Sequence, residues 1–291
     1  MTSTAVADGS LDRHTDQLLD ALDSMLTVSS IMQPMEPQPG VLRAKDLLET
    51  MKTQNFDYTA VMDHNKVSRY VKRADLESGG GKKVLDLSTV ISADNLVAES
   101  CPLADALPRL AESGFLLVLR GRSIDRIVTR SDMGRLPVIM YFTSVLHVFE
   151  DSLTTVLSSL SDDEVVHRLD GWFAGITDGE ELNRERGKLA ESTRIYRKKR
   201  RSREELRLVD CLYLYHKMRL FQLVHPTWWQ QLGADSEEKA ESDFTALNGL
   251  RNDLAHGNEL AATEKEWQDV LATLGQAQHY ARALAHTGVQ E

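Results

Sequence analysis

The sequence predicts a multidomain α+β protein in which two copies of a β-α-β-β-α unit precede an all-helical bundle. Three observations lead to this fold class. The chain has 291 residues, and single hydrophobic cores stop growing at about 250–300 residues. Short helical patterns alternate with β-branched runs over residues 41–137. From residue 138 onwards the sequence has only long helical patterns, interrupted by Pro226 alone.

The composition predicts a cytoplasmic globular protein. Hydrophobic residues make up 42% and charged residues 27%, which is ordinary for this class, and no apolar run approaches the ~20 residues that span a bilayer. Residues 1–9 lack the basic and apolar stretches of a secretion signal. Cys101 and Cys211 are too few for a disulfide framework or a four-cysteine zinc site, and the histidines show no metal-ligand spacing. We therefore predict that no metal is required.

Residues 1–40 are predicted to form an N-terminal helix and a proline-containing linker. Apolar side chains recur at helical spacing between residues 11 and 31, as at Leu18 and Leu22. Three prolines follow, at Pro34, Pro37 and Pro39. Because proline lacks a backbone N–H and is disfavoured inside helices, the helix must end before them.

An internal repeat organises the next segment, residues 41–137. Residues 58–76 align without gaps on residues 115–133 at a constant offset of 57. Identical pairs include Val61 with Val118 and Asp75 with Asp132, although only five of nineteen positions match. Each copy is predicted to be a helix, a strand, a tight turn, a second strand and a helix that the aspartate opens. The tight turns are Asp63-His64-Asn65 and Arg120-Gly121-Arg122.

The second copy ends in Ile127-Val128-Thr129-Arg130-Ser131-Asp132. This segment contains apolar residues, then a hydroxyl, two spacers and an aspartate. The pattern resembles the strand end of tandem cystathionine β-synthase (CBS) domain pairs, or Bateman modules. The resemblance covers residues 41–137 and implies an adenosine-containing regulatory ligand such as ATP, ADP, AMP or S-adenosylmethionine. A hydroxyl at a strand end can reach phosphate, and a carboxylate at the following helix start can accept ribose hydroxyls. Thr129 and Asp132 are therefore predicted ligand contacts.

The first copy departs from this pattern. Lys72 stands where the second copy has Thr129. Asp75 follows Lys72 by three residues, as Asp132 follows Thr129. Lys72 could pair with phosphate, or its long side chain could fill the cleft and exclude a ligand. A further alternative applies to both copies, because Asp75 and Asp132 may simply cap helices, which aspartate does well without any ligand.

Helices are predicted in the second half for residues 139–160, 162–169, 179–201, 204–223, 237–255 and 263–286. The fifth carries Arg251-Asn252-Asp253-Leu254-Ala255-His256 followed by Gly257. This segment resembles the HEPN family of helical bundles over roughly residues 138–286, and we assign residues 138–291 to such a bundle. The resemblance implies a homodimer that cleaves RNA without a metal, with Arg251, Asn252 and His256 as catalytic residues.

The motif has a consistent chemistry. His256 can take the proton from a ribose 2′-hydroxyl, Arg251 can stabilise the charge that grows on phosphate, and Asn252 can orient either group. On a regular helix, however, Arg251 and His256 point ~140° apart. A single site therefore needs a frayed helix end before Gly257, a second copy of the chain, or both. The alternative is that a histidine and an arginine at a helix end only complement its carbonyl groups.

A basic run offers a local contact for RNA in a chain whose net charge is −10. The cations predicted to bind the RNA backbone are Arg197, Lys198, Lys199, Arg200 and Arg201. A solvated helix end is the alternative, because cations also offset the helix dipole. The resemblance to HEPN bundles also implies an acid in the first bundle helix, where Glu150 and Asp151 stand, and such an acid can orient the Arg251 guanidinium through a bidentate pair.

Three functions remain open from the sequence. The chain is a nucleotide-regulated ribonuclease, a non-catalytic nucleotide sensor whose bundle binds RNA or a partner protein, or a toxin-like component that an inhibitor protein holds inactive. Both halves belong to dimer-prone classes, which favours coupling between the two sites.

Overall fold

The computed structural model describes residues 10–202, 205–257 and 259–287, which form two compact units. Residues 22–141 and 259–271 make up the α/β unit, and residues 10–21, 142–257 and 272–287 make up the helical unit. Residue 204, where we expected a helix to begin, lies outside the described residues, as do residues 1–9 of the N-terminal segment.

The described helices, in chain order, are α1 (Ser10–Met25), α2 (Ala44–Gln54), α3 (Arg73–Glu77), α4 (Val84–Leu87), α5 (Leu103–Ser113), α6 (Leu136–Leu157), α7 (Asp162–Phe173), α8 (Gly179–Arg200), α9 (Leu214–Val224), α10 (Trp228–Gln231), α11 (Glu237–His256) and α12 (Glu264–Thr287). The strands are β1 (Gln33–Pro34), β2 (Gln38–Pro39), β3 (Tyr58–Asp63), β4 (Lys66–Lys72), β5 (Thr89–Val90), β6 (Leu96–Ala98), β7 (Phe115–Arg120) and β8 (Ser123–Thr129). No described helix combines the length and the apolar character needed to cross a membrane.

The α/β unit has two four-stranded sheets, ordered β2-β3-β4-β5 and β1-β8-β7-β6. The repeat is confirmed strand by strand, since β7 and β8 begin and end 57 residues after β3 and β4. Even the register shift recurs, between Val61 and Met62 in one hairpin and between Val118 and Leu119 in the other. The two copies therefore share one hairpin geometry.

The hairpin turns explain the residues that form them. His64 and Asn65 have φ values of 47° and 60°, and Gly121 has a φ of 60°. Two-residue turns with positive φ match the right-handed twist of antiparallel strands, and glycine and asparagine adopt that region at least cost. Both predicted turns are confirmed.

The proline-containing linker belongs to the sheets. Pro34 in β1 pairs antiparallel with Arg126, and Pro39 in β2 pairs parallel with Met62. Both short strands lie at the edge of a sheet, where a residue without an N–H breaks no ladder. β1 is the edge strand beside β8 in the sheet of the second copy, and β5 is the edge strand beside β4 in the sheet of the first. The α/β module therefore begins before residue 41.

The helical unit departs from the prediction in one element. We expected a helix over residues 204–223, but a 3-10 turn at Leu208–Cys211 precedes α9, which begins only at Leu214. Asp162 at the start of α7 accepts a hydrogen bond from the backbone N–H of Leu208 at 2.8 Å. This contact and a capping bond from the N–H of Arg207 to Asp210 hold the segment in a turn.

Candidate functional sites

The end of strand β8 brings Thr129 and Asp132 together. One oxygen of the Asp132 carboxylate accepts hydrogen bonds from the N–H and the hydroxyl of Thr129, at 2.8 and 3.1 Å. The other accepts from Arg135 at 2.8 Å and from Gln33 at 3.4 Å. Asp132 is 4% exposed. Its carboxylate therefore caps the helical turn after β8.

The equivalent group in the first copy is less enclosed. Asp75 accepts one hydrogen bond from the N–H of Lys72, at 3.4 Å. The Lys72 side chain is exposed. Lys72 is therefore free to approach a phosphate from solvent.

The arginines beside these two strand ends have different partners. Arg73 in the first copy pairs with Asp57 at 2.6 Å. Arg130 in the second copy has Gly114 at the corresponding position, and pairs instead with Glu264 at 3.1 Å. A Cβ on Gly114, which has a φ of 82°, would lie 3.5 Å from the Arg130 guanidinium. Glycine thus leaves room for the guanidinium but supplies no carboxylate, and Glu264 at the start of α12 takes that role.

A cavity of about 200 Å³ lies close to the β8 strand end. Its lining includes Pro34, Tyr58, Thr50 and Ile127, which precedes Thr129 by two residues. In the second copy, Arg109 of α5 donates to the carbonyl oxygens of residues 93 and 96 at 2.6 and 2.8 Å. Sequence reasoning missed the cavity, since its shape depends on packing between distant residues.

The predicted ribonuclease motif lies at the end of α11. The helix is regular to His256 and ends at Gly257, whose φ is 66° and whose N–H donates to the carbonyl of Asp253. Asn252 and His256 are exposed. Gly257 ends the helix in the left-handed conformation that glycine commonly adopts there. The helix does not unwind to turn His256 towards Arg251.

Arg251 lines a cavity of about 120 Å³ together with His147 and Glu150 of α6. Its side chain is half-buried. Within the described part of the chain, no hydrogen bond or ion pair engages the Arg251 guanidinium. The carboxylate of Glu150 pairs with Lys217 of α9 at 2.8 Å instead. The predicted bidentate pair is therefore wrong, although Glu150 does reach the cavity; Asp151 is exposed.

The basic run of α8 divides into two sets. Arg197, Lys198 and Arg201 line a groove of about 770 Å³ between α7 and α8. Arg200 pairs with Asp162 at 3.1 Å, and neither Arg200 nor Lys199 lines the groove. The sequence could place these cations on one helix, but it could not tell which of them face the groove.

A buried histidine was also missed by sequence reasoning. The Nε2 atom of His216 in α9 lies 3.0 Å from the Glu185 carboxylate, and both side chains are almost fully buried. Burial lowers the pKa of His216, an effect that outweighs the opposing charge of Glu185. Burial raises the pKa of Glu185, but hydrogen bonds from Lys188 and Arg184 more than compensate and lower it. The pair is therefore a neutral imidazole beside a carboxylate.

This pair predicts a pH dependence of stability. Unfolded His216 binds a proton near its ordinary pKa of about 6.5, whereas the folded protein resists that proton. The free energy of unfolding should therefore fall as the pH drops below about 6.5, by up to ~1.4 kcal/mol per pH unit. Glu185 does not change the free energy of unfolding in this range. Because its pKa is lowered, its contribution to stability is lost only at more acidic pH. The free energy of unfolding, measured with urea at about pH 7.5 and about pH 5.5, should differ less between the two pH values in His216→Gln than in wild type. Equal differences in the two proteins would contradict the assignment.

The chain was compared with known proteins. No protein-family model and no curated protein matches it. Solved structures that do match include the CBS-pair protein CBSX2 in complex with AMP, with 25% identity, 36% of this chain and 91% of that chain covered, and a TM-score of 0.32. CBSX2 is an Arabidopsis thaliana protein. The CBS domains of a transcriptional regulator from Streptococcus pneumoniae match with 20% identity over 37% of this chain and 96% of that chain, with a TM-score of 0.34. The CBS domain of a bacterial CNNM/CorC family Mg²⁺ transporter in complex with ATP matches with 16% identity over 44% of this chain and 96% of that chain, with a TM-score of 0.35.

Proposed function

We propose that this protein is a nucleotide-regulated endoribonuclease that cleaves RNA without a metal and works as a homodimer. The observation that carries the proposal is Arg251, whose half-buried guanidinium lines a cavity without a partner among the described residues. A phosphodiester supplies a counter-charge to an unpaired guanidinium in the bidentate geometry that arginine favours.

The reaction uses the residues of the motif. His256 removes the proton from a ribose 2′-hydroxyl, and the 2′-oxygen attacks the adjacent phosphorus. Arg251 stabilises the negative charge that develops on the phosphorane, and Asn252 orients the phosphate. The bond from phosphorus to the 5′-oxygen breaks, and that oxygen leaves with a proton from an imidazolium. The products are a 2′,3′-cyclic phosphate and a 5′-hydroxyl.

The site requires two chains. Because α11 is regular to its end, Arg251 and His256 of one chain point ~140° apart. A two-fold axis beside α11 places the histidine of one chain against the arginine cavity of the other. The exposure of His256 supports this arrangement, since a histidine that serves a partner's cavity is exposed in a single chain.

Regulation is proposed to run through Arg130. This residue lies between Thr129 and Asp132, and its guanidinium pairs with Glu264. Residues 259–271, which contain Glu264, follow His256 almost directly along the chain. A nucleotide phosphate at the β8 strand end competes with Glu264 for Arg130, and so changes how the segment after His256 is held.

The cleavage experiment uses the full chain, a mixed-sequence RNA and excess EDTA. Fragments with 2′,3′-cyclic phosphate and 5′-hydroxyl ends are the expected products. Uncut RNA, or cleavage that EDTA abolishes, would contradict the proposal. A DNA oligonucleotide of the same sequence is the control, because it lacks the attacking hydroxyl and should remain intact.

Nucleotide binding is tested by thermal unfolding with ATP, ADP, AMP and S-adenosylmethionine. A ligand at about 100 times its Kd should stabilise the protein by roughly 2.7 kcal/mol. Asp132→Asn should abolish the ligand-induced shift, whereas Asp75→Asn, at the same place in the other copy, should keep most of it. An unchanged shift in Asp132→Asn, or no shift with any of the four compounds, would count against this site.

A non-catalytic sensor is the second candidate. The separation of His256 from Arg251 along one regular helix supports it, because a monomer cannot assemble the site. In that case the Arg251 cavity binds RNA or a partner protein, such as an inhibitor, without cutting. The protein would then bind RNA in the cleavage experiment and leave it intact.

A further inference from the structure

A groove of about 770 Å³ lies between α7 and α8. Its lining contains five cations and one acid. The cations are Arg186, Arg194, Arg197, Lys198 and Arg201, and the acid is Asp170. In a chain with a net charge of −10, this excess of positive charge is local to the groove.

Most of these cations have no counter-charge. Arg194 pairs with Glu191 at 2.6 Å. The other four form no ion pair or hydrogen bond with any residue that the structure describes. Like charges that share a concave surface repel one another, and field lines concentrate in the cleft. The groove therefore attracts an anion that neutralises several of them at once.

The spacing of the cations indicates a linear ligand. Arg186, Arg194, Arg197 and Arg201 lie on one face of α8 and its C-cap, and Ala190 occupies the position between the first two. The terminal α-carbons of that row are about 22 Å apart along the helix axis. A single phosphate engages only one part of such a row. A chain of phosphates can follow all of it.

The two largest apolar side chains of the groove are almost buried. Phe173 is 1% exposed and Leu189 is 9% exposed, so neither projects as an anchor point for a docking helix. An amphipathic helix that docks in a groove needs apolar anchors at every turn. Adjacent helices lie about 8–10 Å apart, which is too narrow for a nucleic-acid duplex. A single phosphodiester backbone fits both the charge and the width.

We propose that this groove binds the backbone of single-stranded RNA without base specificity, with Arg186, Arg197 and Arg201 as its principal contacts. The choice of RNA rests on the proposed function of the helical unit. The groove holds the substrate strand away from the reacting phosphate, so it contributes to affinity and leaves the chemical step unchanged. Arg186 enters through the structure alone, since it lies outside the basic run that the sequence singles out.

The experiment measures binding of the full chain to a fluorescent 12-mer of 2′-O-methyl uridine, which cannot be cleaved by 2′-attack. The triple variant Arg186→Ala, Arg197→Ala, Arg201→Ala should bind at least about tenfold more weakly, and its slope of log K against log salt should fall by about 2. The matched control is Lys45→Ala, Lys66→Ala, Lys82→Ala, which removes the same charge at exposed positions outside the groove. The control should bind like wild type.

Other outcomes decide between the alternatives. Equal weakening in both triple variants, or an unchanged salt slope in the groove variant, would overturn the proposal. So would binding of an alanine-rich helical peptide with glutamates on one face and no binding of the 12-mer, because the groove is then a protein-docking surface. His256→Ala should bind the 12-mer as wild type does. If the wild-type protein leaves cleavable RNA intact but shows groove-dependent binding of the 12-mer, the proposed nuclease activity is rejected and this inference still stands.

Discussion

Replacing His256 by alanine is expected to reduce the rate of RNA cleavage by about 10²–10⁴-fold, the usual contribution of a positioned general base. The effect should be confined to the chemical step. His256 is exposed at the last residue of α11, and exposed substitutions usually change stability by less than about 0.5 kcal/mol. Single-turnover cleavage by wild type and variant, with circular dichroism to verify folding, measures the difference.

The control is His14→Ala, which removes another exposed histidine on a helix and should leave cleavage unchanged. Arg251→Lys provides a second comparison. Lysine keeps the charge but loses the planar, bidentate guanidinium, so this variant should also cleave slowly. Retention of wild-type cleavage by His256→Ala would remove the general base from the account.

Replacing Glu150 by alanine is expected to destabilise the helical unit by roughly 3–5 kcal/mol, the range for breaking a buried ion pair. Lys217 is 5% exposed and its partner Glu150 is 18% exposed. Removal of the carboxylate leaves the ammonium group buried without its counter-charge. Urea denaturation of the full chain, followed by circular dichroism, gives the change in the free energy of unfolding.

Two variants make this result specific. Asp151→Ala removes the neighbouring acid, which is exposed, and should change stability by less than about 0.5 kcal/mol. The double variant Glu150→Leu, Lys217→Met should recover much of the lost stability, because apolar residues of similar size often replace a buried pair at little cost. A large loss in Asp151→Ala, or a small one in Glu150→Ala, would contradict the importance of the pair.

The sequence determined most of the α/β unit because its signals are local and repeated. The offset of 57 fixed both hairpins, including their turns, since strand patterns and turn residues act over a few positions. Strands β1 and β2, which pair with β8 and β3, were not predicted. Each has two residues and contains a proline, and such segments acquire their structure only from the longer strand beside them.

The helical unit shows the same limit in another form. The pattern over residues 204–223 is helical by composition, yet Asp162 captures the N–H of Leu208 and the chain turns there. That contact joins residues 46 positions apart, so no local window contains it. Long-range hydrogen bonds of this kind override helix propensities, which differ by less than about 1 kcal/mol for most residues.

The candidate sites were predictable in residue type and less so in geometry. The motif at the end of α11 was found, and Gly257 ends the helix as expected. The ion pair between Glu150 and Lys217 was not predicted, because Lys217 lies on another helix. Asp57 and Gly114 lie just before the aligned segments at the same offset of 57, so their difference can be read from the sequence, but the pairing of Arg130 with Glu264 cannot.

The most direct test of the composite dimeric site mixes two inactive variants. Arg251→Ala and His256→Ala are each prepared as the full chain, mixed in equal amounts, and allowed to exchange subunits before RNA is added. If arginine and histidine come from different chains, half of the dimers contain one intact site, and about a quarter of wild-type activity should return. No recovery after verified subunit exchange would contradict the shared site, as would a wild-type protein that cleaves RNA as a strict monomer.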